Sequence, residues 1–407
     1  MNCDNKATAN GVLVAYVKED ICGVTPDNPQ FQTIGIVSET LDRTVTTTES
    51  TEIYADRNVR DAVQTGVEIG GAIETEQRVK ALRDFVVAGI QADAPLEIDA
   101  TGDVTATAEP YLVDYTAMRV ADPSGTLFAD AQLGWYVATS GFSNESNNGV
   151  WRVVDRSDPT SVLLLSIDGD DPVDVGTPET VTISANVYTN GTTRQAFTIE
   201  KQFTDLAQTA YFRYTGMEIG EMSFNADSNA ILTGSYSFVG RESNADETEL
   251  SGAVYADPST DPILNSISGV GEIFANGTPV AGDIISLAYT INNNSRGQSA
   301  IGTDGFVGVA HGSISVSGET SLYFENMDLY NAFVAEQHIE LDFFYTDGAR
   351  NRLVVSMPNV KYTALTVNAT GTATDVVATG TFTALYDTPT AIKTVIDGTI
   401  QYSYFDA

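Results

Sequence analysis

Side chains that could do acid–base or metal chemistry near neutral pH are scarce in this sequence. His311 and His338 are the only two histidines in the 407 residues, and neither has the spacing of a metal-binding HExxH motif. His311 follows a strand-like segment and His338 a predicted helix, which favours structural or exposed roles. Two cysteines, Cys3 and Cys22, are too few for a disulfide framework and are not at CxxC spacing. We interpret both as unpaired thiols.

Carboxylates are plentiful, and one cluster resembles a reactive group. Two carboxylates across a cleft can hydrolyse a polysaccharide, and Asp168, Asp170 and Asp171 lie close together in the sequence. The glycine among them favours a turn between strands instead, and the other positions of a calcium-binding EF-hand loop are missing. No GxSxG motif or glycine-rich phosphate loop occurs either. We therefore predict no catalytic residue, metal or cofactor, with a polysaccharide-acting enzyme as the alternative.

The charge balance is strongly acidic, with 20 Lys and Arg against 55 Asp and Glu and a formal net charge of −35. This balance argues against a basic groove that grips nucleic-acid phosphates. Hydrophobic residues make up 42% and charged residues 18%, which is enough apolar material for a packed core. The first residues lack the pattern of a secretory signal, and the apolar stretches are shorter than the roughly 18 residues that a membrane span needs. We expect a protein made in the cytoplasm without membrane contact.

Most segments alternate apolar and polar residues, which predicts an all-β fold. Clear examples are 67–69, 235–238, 314–317 and 379–383, and turn pairs such as Asn190-Gly191 separate such segments. Helical spacing is predicted only at Glu76 to Val87 and at Asn326 to Ala335.

The two predicted helices indicate an internal duplication. Gly71 matches Gly318 at 318 − 71 = 247, while Asn225 matches Asn368 at 368 − 225 = 143 and Gly234 matches Gly380 at 380 − 234 = 146. The fall in the offset means that the first copy contains about 100 extra residues, which include Trp135 and Trp151. These extra residues are predicted to form a small β module with both tryptophans in its core. The predicted organisation is a first module at 1–99 and 191–250, an inserted β domain at 100–190, a linker at 251–261 and a second module at 262–407.

A series of ordered segments resembles the major tail tube proteins of long, non-contractile-tailed, siphovirus-like bacteriophages. The resemblance begins in 13–20 with 23–26, 31–34 and 49–57, and it covers nearly the whole chain except the insertion. It continues in 197–205, 214–217, 233–238, 293–302 and the helix that contains Leu329.

This resemblance implies β-sandwich-like modules, each with a short helix, whose strands join those of neighbours into a closed β-barrel ring. Stacked rings would form the conduit for DNA ejection, and closure would pair every exposed strand edge. Tail tubes are similar to six-module rings, so a two-module chain implies a pseudo-hexameric trimer. The implied partners are other copies of the chain and the tape measure, distal tail and tail terminator proteins. DNA would cross the lumen without specific binding, and the protein would reside in the virion tail after assembly in the host cytoplasm.

Alternation along the strands also predicts which side chains share a face. One face is acidic or hydroxylic, and carboxylates and small hydroxyls would let DNA slide because they offer its phosphates no cation. The alternative is the ordinary polar solvent face of a half-buried sheet. The predicted lumen-lining residues are Glu68, Glu74, Glu76, Ser235, Ser237, Ser315, Ser317, Glu319, Thr381 and Thr383.

Two long polar stretches, Leu41 to Gly66 and Asn292 to Gly312, are predicted as loops. By the resemblance they would be arms that pack on the adjacent ring, and the alternative is a mobile surface loop. The residues predicted to contact that ring are Arg43, Glu49, Glu52, Asp56, Arg57, Arg60, Asn294 and Arg296. A surface adhesin built of β modules is a further alternative for the whole chain, although adhesins normally carry an export signal.

Overall fold

The structure is a computed structural model that describes residues 6–56, 58–112, 115–167, 171–267, 269–275, 278–279, 283–347, 351–369, 375–387 and 398–405. The strands are β1 (Val12–Lys18), β2 (Gln30–Ile34), β3 (Ser38–Glu39), β4 (Asp42–Glu49), β5 (Ala62–Glu76), β6 (Leu96–Leu112), β7 (Tyr115–Ala121), β8 (Tyr136–Ser140), β9 (Gly149–Asp158), β10 (Ser161–Ser166), β11 (Val175–Thr189), β12 (Phe197–Phe203), β13 (Ala210–Asp227), β14 (Thr233–Gly240), β15 (Glu242–Asp246), β16 (Val254–Ala256), β17 (Gly269–Ala275), β18 (Thr278–Pro279), β19 (Ile284–Asn292), β20 (Arg296–Ser299), β21 (Phe306–Ala310), β22 (Ser315–Tyr323), β23 (Ile339–Thr346), β24 (Arg352–Asn368), β25 (Val377–Ala384) and β26 (Gln401–Phe405). Two short helices, α1 (Arg83–Gly89) and α2 (Asp328–Val334), complete the regular structure with 3₁₀ turns at Ala9–Gly11 and Glu145–Asn147. The predicted all-β class is confirmed.

One continuous sheet runs through both halves of the chain. Its strands follow the order β4, β5, β14, β13, β19, β22, β25 and β24, and every neighbouring pair is antiparallel. The short strand β3 extends β4 along the same edge of β5. We call these eight strands the inner sheet, counting β3 with β4.

A second layer of strands packs against the inner sheet in each half of the chain. In the first half it consists of β2, β1, β12 and the beginning of β13, and in the second half of β17, β23 and the beginning of β24. Helix α1 lies between the layers, where the Phe85 ring is 4.5 Å from that of Tyr16 and 5.3 Å from that of Phe238. One hydrophobic core therefore joins strands that are distant in the sequence.

The strands of the predicted insertion close on themselves. Their pairings run β6, β7, β10, β9, β8, β11 and back to β6, which makes a six-stranded barrel. Trp135 and Trp151 are both buried in its core, together with Phe344, Val354 and Phe405 from the C-terminal half. The barrel is also hydrogen-bonded to that half, because β26 pairs with β11 on one side and with β24 on the other.

Both helices begin later than the sequence pattern indicated. The first was predicted from Glu76 and begins at Arg83, because β5 continues to Glu76 and the main chain of Gln77 is bonded to Leu232 and Leu264. The second was predicted from Asn326 and begins at Asp328.

The two stretches predicted as loops are β-hairpins, and the prediction of irregular structure was wrong there. In the first, β4 pairs with β5 from Asp42–Gly70 to Glu49–Ala62, and all eight β4 residues are exposed. In the second, β20 pairs with β21 in a separate two-stranded sheet. Threonine-rich β4 lacks apolar alternation because neither of its faces is buried. The predicted linker also contains a strand, since β16 pairs in parallel with β2.

Candidate functional site

The ten residues predicted for the lumen share one face of the inner sheet. Glu74 is opposite Ser235 and Glu76 opposite Thr233 in the first half, while Ser317 is opposite Thr383 and Glu319 opposite Thr381 in the second. Ser237 and Ser315 lie on the same face through their pairings with Ala72 and Asn292, and Glu68 through its pairing with Thr44.

Burial separates the two faces of the inner sheet clearly. Glu68, Glu74, Ser317 and Glu319 are exposed, whereas the alternating residues Ile73, Tyr236, Val316 and Phe382 are at most 1% exposed. Of the other predicted positions, Ser315 and Thr381 are exposed and Glu76, Ser235, Ser237 and Thr383 are half-buried. The apolar side faces the second layer, and the polar side, which we call the polar face, is left open by the single chain.

Sequence reasoning missed the middle of the polar face, which lies on β13 and β19. Ser223 bridges Ser235 and Thr290, and Glu221 bridges Ser237 and Asn292. The signal was present in the alternation of Met222 and Phe224 with polar residues. The complete row Glu74, Ser235, Ser223, Thr290, Ser317 and Thr383 crosses six adjacent strands.

Negative charge dominates the polar face. The carboxylates within its strands are Asp42, Glu68, Glu74, Glu76, Glu221, Asp227 and Glu319. Among the described residues of these strands the face carries one cation, Lys361, whose ammonium is 2.9 Å from Glu336. Such a surface repels phosphate and offers it few partners.

The first hairpin consists of β4, residues 62–70 of β5 and the connection between them. Several of its apolar side chains are exposed to water. Ile53 is 99% and Val59 60% exposed, and Val45, Tyr54 and Val63 are between 40% and 55% exposed. Of the residues predicted to contact the next ring, Arg60 pairs with Asp56, the Glu52 carboxylate accepts a 2.6 Å bond from Tyr54, and Glu49 lies in β4. Arg43 is 3.4 Å from Asp304 of the other hairpin, and Arg57 lies outside the described residues. Exposed aliphatic groups on a protruding hairpin mark a surface suited to contact.

The second hairpin, β20–β21, is held against the first half of the chain. The buried carboxylate of Glu218 is 2.8 Å from His311 Nε2 and 2.6 Å from Arg194, and Arg194 also donates to the Val309 carbonyl at 2.7 Å. Burial acts to raise the pKa of Glu218, but hydrogen bonds and charge from His311 and Arg194 hold that pKa below its usual value. Asn294 donates to the Ser313 carbonyl, and Arg296 pairs across the hairpin with Ala310.

The residues first considered for chemistry are dispersed. His311 is engaged by Glu218 and Ser295, His338 by Asn359, and Cys22 is an exposed free thiol. Asp171 is exposed, while Asp168, Asp170 and Cys3 lie outside the described residues. Across the described ranges, no three His, Cys, Asp or Glu side chains are grouped so that they could hold a metal ion.

A second buried ionic cluster joins the inserted barrel to the C-terminal half. Arg152 of β9 is 2.5 Å from Glu340 and 3.7 Å from Asp342 of β23, and the Tyr136 hydroxyl donates to Asp342 at 2.7 Å. Burial raises the pKa of Asp342 to about 6, against the opposing effect of Arg152. This cluster fixes the barrel on the body of the molecule.

Neither helix in the part of the chain covered by the structure has the length and hydropathy to cross a membrane.

Comparison with known proteins agrees with the geometry. A family model described as "Phage tail tube protein" matches residues 9–384, which span the inner sheet, both hairpins and the inserted barrel. A search of curated proteins finds no match. Because the family model covers nearly the whole chain, the protein belongs to the phage tail tube protein family.

Proposed function

We propose that this chain is the major tail tube protein of a long, non-contractile tail and polymerises as stacked rings around a DNA conduit. The observation that carries the proposal is the inner sheet, which crosses the whole chain with one apolar face, one acidic and hydroxylic face, and an outer strand at each end. A sheet of this kind buries its unpaired edges by joining other copies.

Matching strand pairings support the duplication of two tube modules. The ladder β5–β14 corresponds to β22–β25, β12–β13 to β23–β24, and β1–β12 to β17–β23. Even the register irregularities correspond, with Phe197/Ile199 matching Ile339/Leu341. The irregularity at Ile219/Glu221 matches that at Tyr362/Ala364, which lies 143 residues later.

These pairings also refine the sequence alignment of the two modules. The ladder ends Glu76–Thr233 and Tyr323–Val377 keep the offset of 247 between β5 and β22. They favour 377 − 233 = 144 between β14 and β25, in place of the 146 obtained by matching Gly234 with Gly380. Paired positions are a better guide than a shared glycine because they record the register of the ladder.

Three chains are the number that we propose for one ring, because tail tubes are similar to six-module rings and each chain would supply two modules. Three copies of eight strands give a 24-stranded barrel with pseudo-sixfold symmetry. With strands about 4.8 Å apart and tilted by about 40°, the backbone diameter is on the order of 50 Å. Barrels of 16–18 strands already leave an aqueous channel, so a barrel of this size would leave a wider one.

The polar face would line this conduit, with Glu68, Glu74 and Glu319 among its carboxylates. Three chains bring 3 × −35 = −105 formal charges to a ring. Screening confines their effect to about 8 Å in physiological salt, so the wall itself decides what the DNA meets. DNA would pass without a specific binding site.

The arms would connect successive rings, and the ends of the tube would meet other tail proteins. The exposed Ile53 and Val59 of the first hairpin are the contacts that we assign to the adjacent ring. Tape measure, distal tail and tail terminator proteins are the further partners, and assembly would take place in the host cytoplasm.

Electron microscopy of the purified protein at high concentration tests the proposal. Hollow, regularly striated filaments with threefold or pseudo-sixfold end views are expected. Compact monomers at every concentration, above all with hydrolytic activity on polysaccharides, would overturn it.

A further inference from the structure

The two outer strands of the inner sheet each lack a neighbour on one side. Residues 361–368 of β24 pair with β25, and β3–β4 pairs with β5, but no other described strand pairs with either of them. The corresponding strands inside the chain have both neighbours, since β13 pairs with β14 and β19, and β19 with β13 and β22.

The ladder between β13 and β19 therefore shows the kind of strand pairing that is missing at the two free edges. It joins the first module to the second within the chain, with Glu221 opposite Asn292, Ser223 opposite Thr290 and Asn225 opposite Ala288. In the second module, the equivalents of these β13 residues lie 143 positions later, on the free edge of β24: Ala364, Thr366 and Asn368. In the first module, the equivalents of these β19 residues lie 248 positions earlier, on the free edge of β3–β4: Thr44, Asp42 and Thr40.

From this correspondence we infer that β24 of one chain forms an antiparallel ladder with β3–β4 of a second copy, in a defined register. Ala364 is opposite Thr44, Thr366 opposite Asp42 and Asn368 opposite Thr40. The inference rests on the proposed function and deepens it, because it names the edges and the register by which neighbouring chains join.

The side chains at these edges suit the register. Ala364, Thr366 and Asn368 are exposed, as are Thr40 and Asp42, so the polar face would continue across the junction. Leu365 and Leu41 are buried on the other face, where Met222 and Tyr289 are buried in the internal ladder. A shift by one residue would place apolar side chains on the polar face.

A local cap covers the edge at Leu41 in the single chain. The Leu41 N–H donates to the Glu39 carboxylate at 2.9 Å, and its carbonyl accepts from Lys201 and Tyr214, each at 3.0 Å. Charged side chains at a sheet edge discourage pairing with unrelated strands. The new ladder must replace these bonds opposite Val367, so the best test position is the neighbouring residue Asp42.

Disulfide cross-linking tests the register in the full chain with Cys3→Ser and Cys22→Ser as background. The pair Thr366→Cys and Asp42→Cys should form disulfides between chains on mild oxidation of assembled rings. Denaturing gel electrophoresis without reductant should then show cross-linked species of two and three chains and none larger. The internal equivalent Ser223→Cys and Thr290→Cys is the matched positive control, because it should bridge within one chain with the same geometry.

Two further results separate the inference from the proposed function. The pair Ala364→Cys and Asp42→Cys, shifted by two residues, should cross-link at least tenfold less, since diagonal positions are about 7–8 Å apart. Equal or preferred bridging of this shifted pair, or no interchain bridge while the internal control forms, overturns the register although tubes exist. Failure of the background chain to form any ring overturns the proposed function itself.

Discussion

At the scale of residues, buried ionic groups hold the inserted barrel and the second hairpin on the body of the molecule. Glu218 engages Arg194 and His311, and Arg152 engages Glu340 and Asp342. Removing Arg152 would leave Glu340 and Asp342 buried without a counter-charge, which costs more than the intact group contributes.

Glu218→Gln is expected to lower the free energy of unfolding at pH 7 by roughly 1.5–3 kcal/mol, the range for hydrogen bonds to charged groups. The folded-state pKa of Glu218 lies below 4.5, so its carboxylate stabilises the fold above that pH and the contribution disappears as the pH falls through the folded pKa. Denaturant titrations of both proteins between pH 3 and 7 measure the difference. Glu242→Gln, at an exposed position of β15, is the control and should change the free energy of unfolding little. An equal effect of Glu218→Gln at both ends of the pH range would contradict the assignment.

Arg152→Met should be strongly destabilising, by about 3–5 kcal/mol, because Glu340 and Asp342 would remain buried beside an apolar side chain. The measurement is the midpoint of chemical unfolding, with near-ultraviolet circular dichroism to report on Trp135 and Trp151. Arg119→Met is the matched control, because Arg119 pairs with Glu109 on a partly exposed strand and should cost less than about 1 kcal/mol. Similar losses in both variants would show that the buried cluster has no special role.

Asp342 should make stability depend on pH in the opposite direction to Glu218. Its folded-state pKa of about 6 is above the ordinary 3.8, so its contribution is fully present below pH 3.8 and is lost as the pH rises through 6. Asp342→Asn cannot ionise and should gain stability relative to the native chain over that interval. Parallel urea titrations at pH 4 and 7 test this, with Glu145→Gln on the barrel surface as control. A constant difference between the two pH values would refute it.

At the scale of elements, the first hairpin is expected to be needed for assembly but not for folding. Residues 42–49 are exposed throughout, so few packing contacts depend on them. We expect that replacing residues 47–65 by an Asn-Gly turn leaves the unfolding temperature within about 2 °C, because the remaining ladder Asp42–Gly70 to Thr46–Gly66 stays paired. Filament growth should stop at single rings, as seen by negative-stain microscopy and sedimentation. Ile53→Ala, at the 99% exposed position, is a milder companion variant that should shorten filaments. Filaments of native length from the shortened hairpin would exclude it as the connection between rings.

Strand alternation predicted the faces of β5, β14, β22 and β25 because one side of each is buried. The same signal failed for β4, whose Thr-rich sequence has no buried side and becomes a strand only through pairing with β5. The start of α1 was misplaced because the contacts of Gln77 with Leu232 and Leu264 are long-range. The pairing of β13 with β19 is likewise long-range. Local alternation could therefore show which side chains of β13 share a face, but not that this face lies in the middle of the polar face.

At the scale of the whole molecule, the polar face decides what a tube would present to DNA. Ser317 lies on this face in β22, between β19 and β25. In the background Cys3→Ser and Cys22→Ser, Ser317→Cys should react with a small maleimide in both free subunits and assembled tubes. A maleimide on a long polyethylene glycol chain should label free subunits but react at least tenfold more slowly with intact tubes, because the polymer must enter through the tube ends.

Glu145→Cys provides the matched control, since Glu145 is exposed and lies in the turn between β8 and β9 of the inserted barrel, outside the strands of the polar face. It should accept the large reagent equally in free subunits and tubes if the barrel stands outside the conduit. Equal labelling of Ser317→Cys in both states would place the polar face on the outer surface. The acid of the sequence would then serve solubility, and the apolar residues of the first hairpin would have to be reconsidered as contacts within a ring. Slow labelling of Ser317→Cys beside fast labelling of Glu145→Cys would instead assign the carboxylates of the inner sheet to the wall of the channel.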